Sequence, residues 1–185
     1  MIAYHLYRSI GREDFNPSFS EGMILNLPLE TELFASKFQT LEELNYLMKN
    51  YPSGISVHGI RYLSSVRPDD YNNDHTIESI FELVRQEHYP DQLSRFQAFF
   101  ACPTIESAMQ WSKKLKSVEL WEIEAIETPI AYDARFLTMS NDRGFSLIRT
   151  INNAHQYWRH KMTSEPLPEL LLPLPLRINR RVPLL

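Results

Sequence analysis

The residues most able to do chemistry in this sequence are carboxylates set against apolar runs. Glu169 opens the run Glu-Leu-Leu-Leu behind a proline-broken loop. An acid held at the rim of a rigid strand can stabilise developing positive charge or take a proton. The plain alternative is an exposed carboxylate at a loop–strand junction. A rival set, Glu119, Glu122, Glu124 and Glu127, alternates with apolar residues in SVELWEIEAIE, two on each face. Such alternation usually marks a half-solvated strand. Arg95 enters the very apolar segment SRFQAFFAC, so its guanidinium needs an anionic partner or a water-exposed tip. Asp91 or another structural carboxylate would serve. The histidines, at 5, 58, 75, 88, 155 and 160, show no i, i+4 spacing for a helical metal pair. A Walker loop, a GxGxxG turn, a GxSxG elbow and an HExxH helix are all missing.

The elements that must position these residues read as one domain over residues 1–185. Residues 2–10 form a first strand and 15–28 a loop. Thr40–Lys49 is an amphipathic helix, with a capping box from Thr40 to Glu43 and Leu41, Leu44, Leu47 and Met48 on one face. Residues 67–75 are a polar loop. Thr76–Glu87 is a helix that turns Ile77, Ile80, Phe81 and Val84 inward. Ser94–Cys102 reads as a buried strand or strand entry. A helix follows over Thr104–Leu115, capped by Thr104. Ser117–Glu127 is the clearest strand, Ser140–Gly144 a turn, Ile151–His160 a helix and Glu169–Leu172 a short strand. Pro173, Pro175 and Pro183 keep the tail extended or at a sheet edge. Strands and helices mix without regular alternation, which points to α+β.

Composition limits the partners. The chain of 185 residues is 43% hydrophobic and 23% charged, enough for a packed core. Its ten Phe, nine Tyr and three Trp suit a packed sheet or a groove for a planar ligand. A net charge of −4 excludes a global basic field for nucleic acid, although Arg8 and Arg12, and Arg177, Arg180 and Arg181, cluster locally. Cys102 is the sole cysteine, so no intrachain disulfide or cysteine-based zinc site forms. The opening Met-Ile-Ala-Tyr-His is no apolar leader, and no apolar run nears the roughly 18 residues of a membrane span. A cytoplasmic protein without membrane association is expected.

Three segments taken in order carry a family resemblance. They are Tyr4-His5-Leu6-Tyr7-Arg8 with FSEGMIL behind it, Ser94-Arg95 leading FQAFFA, and Tyr157-Trp158 followed by Pro168-Glu169-Leu170-Leu171-Leu172. In this order the chain resembles the ADP-ribosyltransferase superfamily. The likeness is to a bacterial branch with a Tyr-His opening strand and a closing Glu-Leu-Leu strand, and the closing strand is also similar to that of DarT-like DNA-modifying toxins. The resemblance runs from His5 to about Ile178 and implies an α+β fold with a split, curved antiparallel sheet flanked by helices. It implies NAD as a substrate and no metal. Glu169 takes the catalytic role, ahead of Glu122 and Glu124. His5 and the Leu6 backbone hold the nicotinamide riboside, and Arg8, Ser94 and Arg95 lie along the phosphates. Tyr157 and Trp158 would stack on nicotinamide or an acceptor base, unless they are core residues of their helix.

The implied chemistry breaks the nicotinamide–ribose bond through an oxocarbenium-like transition state, which a carboxylate beside the ribose stabilises. Better-known toxin branches place a carboxylate or glutamine two residues before the catalytic glutamate. Leu167 stands there instead. Nucleic acid is therefore favoured over protein as the acceptor. The expected function is mono-ADP-ribosylation of a macromolecule by a toxin or phage-defence effector, with a neutralising antitoxin as a partner. Two alternatives are a non-catalytic binding module of the same fold and an RNA 2′-phosphotransferase-like enzyme.

Overall fold

The computed structural model describes residues 1–7, 18–27, 40–64, 72–115, 119–126, 129–141 and 144–183. Arg8 and Arg12 fall outside them. The strands are β1 (Ile2–Tyr7), β2 (Ile24–Leu25), β3 (Phe99–Ala101), β4 (Glu119–Glu124), β5 (Tyr132–Asp133), β6 (Ser140–Asn141), β7 (Gly144–Phe145), β8 (Pro168–Leu172) and β9 (Leu176–Val182). The helices are α1 (Leu41–Asn50), α2 (Val57–Leu63), α3 (Asn73–His88), α4 (Ile105–Ser112) and α5 (Leu147–Trp158). The class is α+β with antiparallel pairing throughout the described sheets. None of the described helices is long and apolar enough to cross a membrane.

The chain divides into two compact units. The first comprises Met1–Asn26, Phe99–Arg135 and His160–Leu185. It holds a four-stranded sheet, ordered β1-β4-β9-β2, and a three-stranded sheet, ordered β3-β8-β5. Among the described residues the two are joined by one bridge, Tyr4 to Cys102, with N···O distances of 2.9 and 2.6 Å. One face buries Ala3, Tyr7, Trp121, Ile123, Leu170, Leu172, Leu176 and Ile178. On the other, Ala108 of α4 is buried with Cys102 and Leu120, and Tyr4, Leu6 and Trp111 pack around them. Of the alternation expected over Ser117–Glu127, residues 119–126 are described, with Trp121, Ile123 and Ala125 buried and Glu124 and Ile126 exposed; Ser117, Val118 and Glu127 lie outside the described residues. The tail is not an edge. β9 lies between β4 and β2, and the prolines fall just outside the strand, where no ladder N–H is needed.

The second unit, Leu27–Ala98 with Phe136–Arg159, holds α1, α2, α3, α5 and the β6–β7 hairpin. Thr40 caps α1, and its bonds with Glu43 complete the capping box at 3.2 and 3.1 Å. The apolar stripe expected on α1 is only partly used. Leu47 is buried, but Leu41 and Met48 are 74% and 67% exposed. The helix is anchored at its C-terminal end, where Tyr51 is buried and donates to Glu82 at 3.0 Å. α3 begins earlier than expected because Asn72 caps it. It buries Ile77, Phe81 and Val84 but also the polar stripe Glu78, Glu82 and Arg85. Strand geometry in SRFQAFFAC is confined to Phe99–Ala101, and Gln97 closes a turn onto Ser94 at 3.0 Å. The expected turn at Ser140–Gly144 is the β6–β7 hairpin, with Gly144 at φ 93°. α5 packs on α3 through Trp158, whose indole donates to the Phe81 carbonyl at 2.9 Å.

Close approach fixes one residue of α2. A Cβ on Gly59 would stand 2.3 Å from the Phe96 carbonyl oxygen. That oxygen cannot withdraw, because it accepts from the Ser56 N–H at 2.7 Å and the Ser56 hydroxyl at 3.0 Å. Gly59→Ala should therefore destabilise the protein by roughly 1–3 kcal/mol through overpacking. Thermal unfolding followed by circular dichroism should show a Tm several degrees lower; an unchanged Tm would mean that α2 is free to shift away from Phe96.

Candidate functional site

Glu169 lies on β8, the middle strand of the three-stranded sheet, and is 5% exposed. On one side its register partner is Tyr132 of β5. On the other, continuing the pairing of Ala101 with Leu170 by one residue sets Cys102 across from it, and Cys102 bridges to Tyr4. Tyr4 in turn pairs with Glu122, and Glu122 with Arg180. Paired residues of antiparallel strands share a face, so Arg180, Glu122, Tyr4, Cys102, Glu169 and Tyr132 form one row across six strands. Burial, reinforced by the nearby Glu169 charge, pushes the Cys102 thiol up to about 12. The thiol is protonated at neutral pH and is not a nucleophile. Glu122, the rival carboxylate, is committed to Arg180 at 3.1 Å, and Glu124 is exposed.

Asp133 and the Trp111 indole fix where β8 begins. The buried Asp133 carboxylate accepts from the backbone N–H groups of Arg135 (3.0 Å), Thr163 (2.8 Å) and Leu167 (2.9 Å), and from the Thr163 hydroxyl (2.7 Å). Burial alone would raise its pKa; these four donors outweigh burial and hold it below the ordinary carboxylate value. Trp111 of α4 donates to the Pro168 carbonyl at 3.1 Å.

His5 belongs to the opposite face. It alternates with Tyr4 and shares the side of Ala3 and Tyr7. Its ring lies 4.4 Å from Phe99 and 5.4 Å from Phe19. Nδ1 is 2.7 Å from the Phe100 carbonyl oxygen. A carbonyl can only accept, so Nδ1 carries a proton. Burial lowers its pKa to about 4 despite that bond. Leu6, on the side of Tyr4, packs near Leu120. The structure thus brings Leu6 and Glu169 to one face of the first unit and His5 to the other.

Ser94, Arg95 and Tyr157 belong to the second unit, and all three are buried. Arg95 makes a bidentate pair with Glu78, both N···O distances 2.8 Å, and donates to the Tyr157 hydroxyl. The Ser94 hydroxyl donates to Glu82 at 2.8 Å, and Glu82 also pairs with Arg85 at 2.8 Å. Burial would raise the Glu78 carboxyl, but the charges and hydrogen bonds of Arg95 and His58 hold it well below the usual range. The anionic partner required by Arg95 is thus a structural carboxylate, Glu78. Trp158 is a core residue of α5, fully buried. Sequence reasoning missed Glu78 and Glu82, although their i, i+4 spacing on the face of Ile77, Phe81 and Val84 was a signal. It also passed over Asp133 and His160. Among the described residues no group of three or more His, Cys, Asp and Glu side chains can hold a metal ion.

A family described as a protein of unknown function, DUF2441, matches residues 5–182. The chain belongs to that family. No curated protein matches it. The DUF2441 match begins at His5 on β1 and ends at Val182, the last residue of β9, so it contains Glu169, Cys102 and Tyr132 and starts one residue after Tyr4.

The His5 geometry generates a pH dependence. Its folded pKa of about 4 lies below the ordinary 6.5, so the unfolded chain takes up the proton first. Stability from neutral His5 is complete above about pH 6.5 and is lost as pH falls toward 4, by roughly 3 kcal/mol. Urea midpoints measured from pH 7.5 to 4.5 should fall more steeply for the native protein than for His5→Gln. Parallel slopes would show that His5 is solvated and titrates normally.

Proposed function

We propose that this protein is an NAD-dependent mono-ADP-ribosyltransferase with Glu169 as its catalytic carboxylate. The observation that carries the reading is the placement of Glu169. It is buried on a middle strand, across from Cys102, whose bridge to Tyr4 joins two antiparallel sheets. A carboxylate fixed in such low-dielectric surroundings needs no reorganisation to stabilise positive charge developing on a ribose. With the nicotinamide–ribose bond breaking, Glu169 meets the oxocarbenium-like carbon with negative charge and can accept a hydrogen bond from a ribose hydroxyl. The α+β class with antiparallel sheets supports the reading at the level of fold class.

Leu167 supports a nucleic-acid acceptor over a protein one. It is buried, and its N–H is held by Asp133, so no acceptor-positioning side chain is offered two residues before Glu169. A toxin or phage-defence role in the cytoplasm, with an antitoxin as partner, belongs to the same reading. One observation favours a second reading, a binding module without the chemistry. Ser94, Arg95 and Tyr157 spend hydrogen bonds on Glu78, Glu82 and one another, and His5 on the Phe100 carbonyl. Under the transferase reading these residues support the fold, and NAD contacts come from elsewhere in the chain.

Glu169→Gln keeps the volume and removes the charge. Nicotinamide release from NAD should fall by about a hundredfold or more, since a preorganised electrostatic group acts mainly on the transition state. NAD affinity by calorimetry should change little. Undiminished release in Glu169→Gln would transfer attention to Glu122 and Glu124. No NAD binding or cleavage by the native protein would favour the binding module.

A further inference from the structure

His160 carries three observations that no role so far explains. It has φ 55°, and among the described residues no other non-glycine residue has a positive φ. It follows Arg159, the C-cap of α5, at a position where helices commonly end in a left-handed residue. Glycine or asparagine meets that backbone need at least cost, and neither brings an imidazole. The ring is also placed. Its centroid lies 4.3 Å from that of Tyr132, tilted by 38°, and Tyr132 is the register partner of Glu169. Finally, Nδ1 lies 3.4 Å from the Ala131 carbonyl oxygen. A carbonyl accepts only, so Nδ1 carries a proton and Nε2 is the nitrogen left to exchange one. The residue thus gives up backbone ease to hold an imidazole against Tyr132, the strand neighbour of the buried carboxylate.

We infer that His160 is the acceptor-side base of the Glu169 site, serving an acceptor that attacks through an N–H or O–H group. The inference rests on the transferase reading and divides its labour. Glu169 stabilises the ribose as the C1′–N bond breaks and the bonding pair leaves with nicotinamide, which departs neutral. The acceptor lone pair then forms the new bond to C1′, and its proton passes to Nε2 of His160 and on to water. Hydrolysis of NAD needs less of this help, because water is in excess and the oxocarbenium carbon is highly electrophilic. His160 therefore sets how the intermediate partitions between acceptor and water.

The test uses NAD labelled in the adenylate phosphate, with a mixture of DNA, RNA and protein from cell lysate as acceptor. Label transferred to macromolecules is measured beside nicotinamide released. His160→Asn and His160→Gly both tolerate the left-handed backbone, so Tm should hold or rise. Macromolecular label should drop by about a hundredfold, the usual size of a general-base contribution, while nicotinamide release changes less than severalfold. Glu169→Gln should abolish both. If Glu169→Gln abolishes both but the His160 variants label at the native rate, the inference falls and the transferase reading stands. If both His160 variants lose several degrees of Tm, the ring is a structural prop and the inference again falls. Native protein that releases no nicotinamide, or a Glu169→Gln variant that releases it normally, overturns the reading and the inference together.

Discussion

The Asp133 carboxylate is the interaction on which the first unit depends. A fully buried charge is costly unless its lone pairs are satisfied, and Asp133 is 0% exposed with four donors on its two oxygens. Charge-assisted bonds of this kind are shorter and stronger than neutral ones. They converge the Thr163–Leu167 approach on the end of β5, and the chain then enters β8 with Pro168 opposite Asp133 and Glu169 opposite Tyr132. Without the carboxylate, three backbone N–H groups would lose their acceptor inside the protein, and the start of β8 would have no fixed position. The orientation of Glu169 is inherited from Asp133, two strands' worth of register away from the Tyr4–Cys102 bridge.

The second unit solves a related problem differently. Glu78 and Glu82 sit one helical turn apart on the buried face of α3, and each meets a bidentate arginine, Arg95 and Arg85. A buried ion pair adds little net stability over an apolar replacement, but losing one partner strands the other charge. Ser94 and Tyr51 donate further hydrogen bonds to Glu82, and the Tyr157 hydroxyl accepts one from Arg95. The turn at Ser94–Gln97 is therefore held by polar contacts inside an apolar setting, which explains why an extended reading of SRFQAFFAC begins too early in the chain. The segment is apolar enough for a strand, yet its first two residues are drawn onto α3 by charge.

What could be read from the sequence was local. The Thr40–Glu43 box, the Thr104 cap and the alternation through Trp121, Ile123 and Ala125 each depend on residues a few positions apart, and each appears in the structure. The apolar stripe of α1 failed because a pattern shows which face could be buried, not whether anything covers it; Leu41 and Met48 stay exposed. Arg95 visibly needed an anion, but Glu78 is 17 residues away and reached only by tertiary packing. His160 gave no signal at all, since its left-handed backbone is imposed by the end of α5 and its ring contact by β5.

The pairing of His5 with Glu169 shows a deeper limit. Both residues are on strands of the first unit, and resemblance drew them to one ribose, yet register sets them on opposite faces. Side chains alternate with a period of two, so one residue of slip inverts every assignment on a strand. The parity is carried from strand to strand by Tyr4 opposite Cys102, Ala101 opposite Leu170 and Tyr132 opposite Glu169. At β9 a bulge between Glu122 and Ile123 absorbs Asn179, which lets Ile178 face the core while Arg180 stays opposite Glu122. None of these parities is written in the spacing of the residues themselves. They follow from where each strand is pinned, by Asp133 for β8 and by the Tyr4–Cys102 bridge for β1. The face of the first unit that carries Glu169 is therefore the Tyr4, Cys102 and Tyr132 side, and His5 packs against Phe99 and Phe19 on the reverse.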